Sequence, residues 1–428
     1  MSEVGRHVIG RIITADIGHN DFDSHYPTQQ VCEKYPTQPI TIYDAENNIN
    51  KRRPVLKSKI KWYLDNDYWL IMDVIIKDLH IKDGITAPFM MISKVIPESK
   101  ATDILHVNGK IVKISGGCVR TCFTSDDYKI FTEQYDFKMQ VIACDAYKLE
   151  PLPDYIIDTV KHFYKRKNEL KAKHKATGSE EDRINLLLSK NRLNGIFGCM
   201  YTRLTRDDIQ PQPDGSWNID HKDIDAGLNE YYKTRGNCLA YQWGVRTTSA
   251  ARLELWQAIK TIGQKNFLYC DTDSCFYIKT PENQKALAEW NARLQQRSKE
   301  NGFFIEYDDK TKYFNYFDDE NENITEFKAL HSKCYGYVTD VGKMQITVAG
   351  VPRNTDGVSR EDELKELSNL RDGFIFSKNG GTRAVYHVHE LRDYMGIKTA
   401  GGCVIMDTTK ELSEVVCNEQ ELIKWEIE

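Results

Sequence analysis

The segment that most constrains the fold lies between residues 267 and 278. Two short apolar runs, Phe267-Leu268-Tyr269-Cys270 and Cys275-Phe276-Tyr277-Ile278, flank the polar tetrad Asp271-Thr272-Asp273-Ser274. Runs of this length read as strands, and the tetrad reads as the tight turn of a β-hairpin. Side chains two apart on an extended chain share a face, but a tight turn splays them. One carboxylate can then face a metal ion while the other supports it. Hard oxygen ligands with water in the remaining positions suit Mg²⁺. The alternative is an ordinary Asp-rich turn.

A second carboxylate, Asp21, follows a strand pattern that starts at His7 to Ile13 and passes through Gly18 into Asp21-Phe22-Asp23-Ser24-His25-Tyr26-Pro27. Pro27 bends the chain. Tyr26, five residues past Asp21, can lie beneath a bound sugar and exclude a 2′-hydroxyl. Taken alone, the segment also reads as Asp21 capping a helix and Tyr26 filling a core.

Pro151 and Pro153 introduce a helical pattern from Asp154 to Ala176, which Thr177-Gly178 ends. Ser179 and Asp182, with Glu180 and Glu181 between them, resemble a capping box opening a second helix that runs to about Cys199. The two form an antiparallel helix hairpin. On the second helix Lys190, Asn194, Phe197 and Gly198 recur at helical spacing and share one face. Lys190 is placed to contact phosphates, Asn194 nearby polar groups, and Phe197 to stack on a base, while Gly198 leaves room for close approach. Arg166, Lys167 and Lys171 on the first helix add the cations that polyphosphate calls for.

Elsewhere, residues 40–150 alternate in short runs as antiparallel strands do, and 203–240, with Pro211, Pro213, Gly215 and Gly236, reads as a loop or small β-excursion. A helix is expected over Thr247–Ile262, burying Leu253, Trp256, Ala258 and Ile259, and another over 281–300. Mixed strands follow, and residues 354–428 are helix-poor. The class is α+β, and 428 residues suffice for two or three domains.

The formal net charge of −5 argues mildly against nucleic acid, but clustering matters more than the sum. Seven Lys or Arg lie between Lys161 and Lys175 with only Glu169 opposing them, and a second cluster comprises Lys51, Arg52, Arg53, Lys57, Lys59 and Lys61. A solvated helix face is the plain reading of either cluster in isolation. No apolar run approaches the roughly eighteen residues of a membrane span, and the N-terminus lacks a secretory layout. The eleven cysteines form no close C-x-x-C pair, and Cys118 with Cys122 has no second pair to complete a zinc site. They read as free thiols in a reducing, cytoplasmic compartment.

In order and spacing, these segments resemble the motifs of family B DNA polymerases, in particular the protein-primed bacteriophage branch. Asp21 to Pro27 resembles motif A (D-x-x-S-L-Y-P), Lys190 to Gly198 motif B (K-x-x-x-N-S-x-Y-G), and Tyr269 to Ser274 matches motif C (Y-x-D-T-D-S) without a change. Lys333-Cys334-Tyr335 resembles the K-x-Y signature, with Ala349-Gly350 downstream. The likeness spans roughly residues 16–353. Departures are His25 for Leu, Gly195 for Ser and Phe197 for Tyr, and none alters a metal ligand.

The resemblance implies a palm with an antiparallel sheet over 1–150 and 241–353, helix-hairpin fingers at 151–202, and a small thumb at 354–428. Insertions are expected within about 60–135 and near 203–240, where that branch holds its priming protein and encircles the template. Asp21 and Asp273, with the backbone carbonyl of Phe22, would hold two Mg²⁺ ions, or Mn²⁺ in their place, and Asp271 would support them. Tyr26, Lys190, Asn194, Phe197, Arg166 and Lys167 would bind the dNTP. Thr272, Lys333 and Tyr335 would contact the primer. The implied partners are primer-template DNA, dNTPs and a terminal-protein primer; with only twenty residues before Asp21, either a separate exonuclease polypeptide supplies proofreading or the lineage has none. A split enzyme in phage or mobile-element replication is the expectation. An RNA-templated polymerase or a non-catalytic DNA-binding subunit with the same fold is the alternative.

Overall fold

The computed structural model describes residues 2–41, 57–201, 208–211, 217–220, 223–233, 240–380, 382–385, 404–407 and 409–413. The basic residues Lys51, Arg52 and Arg53, much of 203–240, and most of the chain beyond 380 lie outside them. Lys59 and Lys61 of the same cluster are exposed on a short helix.

The chain starts with β1 (Ser2–Val4), β2 (Ile12–Phe22), α1 (His25–Cys32) and β3 (Tyr35–Thr41). It continues through α2 (Lys57–Asp65), β4 (Trp69–Ile81), β5 (Ile96–Pro97), β6 (Asp103–Val107), β7 (Lys110–Thr124), α3 (Ser125–Gln134) and β8 (Tyr135–Glu150). The helices α4 (Asp154–Thr177) and α5 (Glu180–Met200) come next, then the hairpin β9 (Asp208–Pro211) and β10 (Trp217–Asp220), and α6 (Ile224–Lys233). After α7 (Tyr241–Ile262) come β11 (Phe267–Asp271), β12 (Ser274–Ile278), α8 (Pro281–Asn301), β13 (Phe304–Tyr307), β14 (Lys310–Tyr313) and β15 (Phe317–Asp319). The strands β16 (Ile324–His331), β17 (Cys334–Thr339) and β18 (Met344–Val348) complete the central part.

Two antiparallel sheets organise these elements. The larger has eight strands in the order β1-β11-β12-β2-β16-β17-β18, with β15 also paired to β2. Strand β2 is central, and its parity sorts its side chains. Phe22 enters the core made with α7 and α8 through Leu255, Trp256, Ile259, Leu287 and Trp290. Ile17 faces the opposite side with Leu268, Phe276 and Phe327, and by alternation Asp21 shares that side. The second sheet, in the order β3-β8-β4-β7-β5 with β6 on β7, buries Leu70, Met72, Val74, Ile114, Phe131 and Val141. Its strands extend from Tyr35 to Glu150, beyond the 60–135 segment expected. Helix α3 joins the two halves, since Asp126 and Asp127 on it meet Arg246 and Arg252 on α7.

Several local expectations change. The strand leading to Asp21, β2, begins at Ile12 rather than His7, and Gly18 lies inside it. Gly18 stands directly opposite Tyr277, and a Cβ there would come 2.5 Å from the ring carbon Cζ. That ring is buried, and its hydroxyl donates to Asn20 at 2.8 Å, so it cannot swing aside. Gly18→Ala should therefore destabilise by about 1–3 kcal/mol in urea unfolding. Ser179 makes no side-chain cap, and the Asp182 carboxylate that would complete the box is taken by Lys173 (2.7 Å) and Thr177 (2.8 Å). Helix α7 starts at Tyr241, six residues earlier than Thr247, and 203–240 holds a helix as well as a β-hairpin. Among the described residues no helix is long and apolar enough to cross a membrane.

Candidate active site

The turn between β11 and β12 is held from both sides. Cys270 pairs with Cys275 and Asp271 with Ser274, leaving Thr272 and Asp273 at the tip, with Thr272 in the left-handed region at φ 59°. Asp273 donates its N–H to the Asp271 carbonyl at 2.6 Å. The neighbouring strand brings Asp21 opposite Ser274, and the Phe22 N–H donates to the Asp273 carbonyl at 2.9 Å. Backbone pairing alone thus sets the end of β2 against the tip of the hairpin. Asp21 and Asp273 both line one cavity of about 710 Å³.

Carboxylates so placed repel each other. Burial first, and then Asp273, Glu320 and Asp23, push the Asp21 carboxyl up to about 8. Asp273 is also raised, chiefly by burial, with His25 opposing and Asp271 adding to the shift. Such a pair asks for a cation of high charge and hard character, and oxygen donors fit Mg²⁺ or Mn²⁺. Among the described residues no group of three or more His, Cys, Asp or Glu is suited to one metal ion. Ions held here would take their remaining ligands from a backbone carbonyl, water and substrate phosphates.

The helix pair forms another wall. Lys190, Asn194 and Phe197 of α5 all line the cavity. The Phe197 ring lies 4.8 Å from that of Tyr26, which α1 carries to the same cavity. Among the described residues a Cβ at Gly198 would meet nothing within 4 Å, so none of them requires glycine there for close packing.

On α4 the expected cations separate. Arg166 is exposed and does not line the cavity, whereas Lys167 and Lys171, four apart on one helix face, do. Lys167 is buried and already engaged, paired with the Asp23 carboxylate and donating to Ser24 Oγ at 2.8 Å. Burial alone would raise the Asp23 carboxyl, but Lys167, Lys312 and the Tyr164 hydroxyl bring it down to about 2. Lys167 thus neutralises Asp23 first, and Lys171 and Lys190 are the cavity lysines left for an anion.

Thr272 lines the cavity, but Lys333 and Tyr335 gather beyond the Asp271 carboxylate. Lys333 Nζ lies 3.8 Å from Asp271 Oδ2, its N–H donates to the Tyr269 hydroxyl at 3.0 Å, and the Tyr335 ring sits 4.6 Å from the Tyr269 ring. The sequence reading missed Lys312, Asp318 and Glu320, which also line the cavity. Asp318 stands opposite Asp21 across the β15–β2 pair, and Lys312 reaches it at 2.9 Å and Asp23 at 3.7 Å. No spacing rule links Lys312 to Asp21. The β13–β14 hairpin delivers it.

The fold is that of a DNA polymerase, in agreement with the family B motifs. Among the solved structures it matches are those of Phi29 DNA polymerase. The ternary complex with primer-template DNA and incoming nucleotide gives a TM-score of 0.60 at 18% identity, covering 96% of this chain and 60% of that one. The complex with single-stranded DNA gives 0.61 at 17% identity over the same shares. The chain thus spans about 60% of the length of the polymerase it resembles. No protein-family model and no curated protein sequence matches it.

Proposed function

We propose that the chain is a DNA-directed DNA polymerase that transfers a nucleotide from a dNTP to a primer 3′-hydroxyl. The observation that carries this reading is the pairing of Asp21 with Asp273 in one cavity, across from Lys171, Lys190 and Asn194. In this reading the eight-stranded sheet is the palm, α4 and α5 are the fingers, and the segment beyond residue 353 supplies a thumb. Primer-template DNA and dNTPs are the partners, as in the Phi29 complexes.

Asp21, Asp273 and the Phe22 carbonyl would hold two Mg²⁺ ions, or Mn²⁺. Such a pair supplies Lewis acidity toward the attacking hydroxyl and charge neutralisation at the leaving pyrophosphate. The chain's own groups do the rest. Lys190 and Lys171 neutralise the triphosphate, with Asn194 beside them. Tyr26, backed by Phe197, lies under the sugar, where its ring excludes a 2′-hydroxyl. Asp271, steadied by Lys333, supports the turn, and Lys333, Tyr335 and Thr272 face the primer end.

Primer extension tests the proposal. The purified chain with Mg²⁺ and dNTPs should extend a primer on a DNA template and far less on an RNA template. No extension with either Mg²⁺ or Mn²⁺ would reject it. Lys190→Ala removes a charge-assisted contact and should raise the KM for dNTP by about 10- to 100-fold. Tyr26→Val should admit ribonucleotides while dNTP incorporation persists. Unchanged discrimination would remove Tyr26 from its assigned role.

A further inference from the structure

At position 25 the motif departs from its family pattern, with His in place of Leu. The side chain is 2% exposed and touches three separate segments. Its ring stacks on Phe22 of β2, with centroids 4.3 Å apart and planes 14° apart. Nδ1 lies 3.3 Å from the Thr272 carbonyl, at the tip of the hairpin that carries Asp273. Nε2 points toward the Glu254 carboxylate of α7 at 3.6 Å and has no hydrogen-bond partner. Glu254 is itself held, accepting from Gln29 and Asn315, and Gln29 donates to Asn315 at 2.9 Å. A leucine could fill this space but could not donate to a carbonyl.

The contact falls where the hairpin most needs support. Thr272 sits at positive φ, a conformation costly for a β-branched residue. Its carbonyl precedes Asp273 directly, so a bond to that oxygen restrains the peptide plane from which Asp273 projects. The stack on Phe22 restrains the residue that follows Asp21. One rigid ring therefore ties together the backbones on which both carboxylates depend.

We propose that His25 is a positioning residue. Its Nδ1–H holds the Thr272–Asp273 turn against the end of β2, the stack on Phe22 fixes the ring, and the carboxylate pair is thereby set for divalent cations. This rests on the metal-binding reading of Asp21 and Asp273 above. Outer groups that orient ligands typically contribute about 10- to 100-fold in metal affinity or activity.

The test is Mn²⁺ titration of the full chain by electron paramagnetic resonance, beside primer extension and thermal melting. His25→Leu should weaken Mn²⁺ binding by about 10-fold or more and raise the Mg²⁺ needed for half-maximal extension. It should lower kcat with little change in the KM for dNTP. His25→Asn, whose side-chain amide can reach the Nδ1 position, should recover much of the affinity. Should His25→Leu fail to fold, His25→Phe, which keeps a stacking ring but has no donor, takes its place and must also weaken Mn²⁺ binding. A folded His25→Leu that binds Mn²⁺ within twofold of the parent overturns the proposal, as does unchanged affinity in the substitute variant. A parent that binds Mn²⁺ but extends no primer refutes the polymerase reading and leaves the role of His25 standing.

Discussion

Asp21→Asn and Asp273→Asn are each expected to lower primer extension by about 10³-fold or more. The figure follows from the several kcal/mol that metal ions contribute to phosphoryl-transfer transition states, at about 1.4 kcal/mol per tenfold. Asn keeps the shape of Asp, so the β2–β12 pairing and the Phe22 N–H bond to the Asp273 carbonyl should survive. Melting temperatures should not fall, and relief of the burial and repulsion that together lift Asp21 to about 8 can even raise them. The decisive measurement is single-turnover extension together with thermal melting. Normal activity in either variant would dissolve the site assignment, whereas lost activity with lost folding would show a structural role instead.

The largest expected effect on stability lies away from the cavity, where α3 meets α7. The Asp126 carboxylate accepts from Trp69 Nε1 at 2.8 Å, from Ser249 Oγ at 2.7 Å, and from the Arg246 guanidinium. Arg246 is buried as well, reaching Glu33 and the Lys34 carbonyl at 3.0 Å each. Asp126→Ala leaves that guanidinium with Glu33 as its remaining carboxylate, opens a buried void and unpairs Trp69 and Ser249, and should destabilise by about 3–5 kcal/mol in chemical denaturation. Adding Arg246→Met should recover part of the loss, because an apolar pair avoids the half-paired charge. The native pair also carries a pH signature. Burial alone would raise the Asp126 carboxyl, but Arg246 and the two neutral donors hold it below the ordinary value. A depressed folded pKa contributes stability that is present above the unfolded value of about 4, and that stability is lost as pH falls through the lower folded value. Asp126→Ala should lack this component of acid unfolding.

Much of the cavity was legible because its residues are short-range in sequence or carried at regular spacing. The Asp271-Thr272-Asp273-Ser274 turn follows from apolar runs that must pair, and Lys190, Asn194 and Phe197 follow from helical periodicity. Periodicity could also have separated Lys167 and Lys171 from Arg166, which the sequence pattern had grouped together, since adjacent residues on a helix point about 100° apart. It could not show that Lys167 is consumed by Asp23, because that pairing joins α4 to the end of β2 across more than a hundred residues.

Sequence by itself determined the mixed class, the hairpin and the helix pair. Those features depend on local pattern, where the chain's own repeat selects strand or helix. Tertiary structure alone decided the strand order that sets β12 beside β2, the arrival of Lys312 and Asp318 on later strands, and the place of His25 between Thr272 and Glu254. Strand pairing between distant segments is selected by burial and backbone hydrogen bonding over the whole sheet, and no short window of residues encodes that choice.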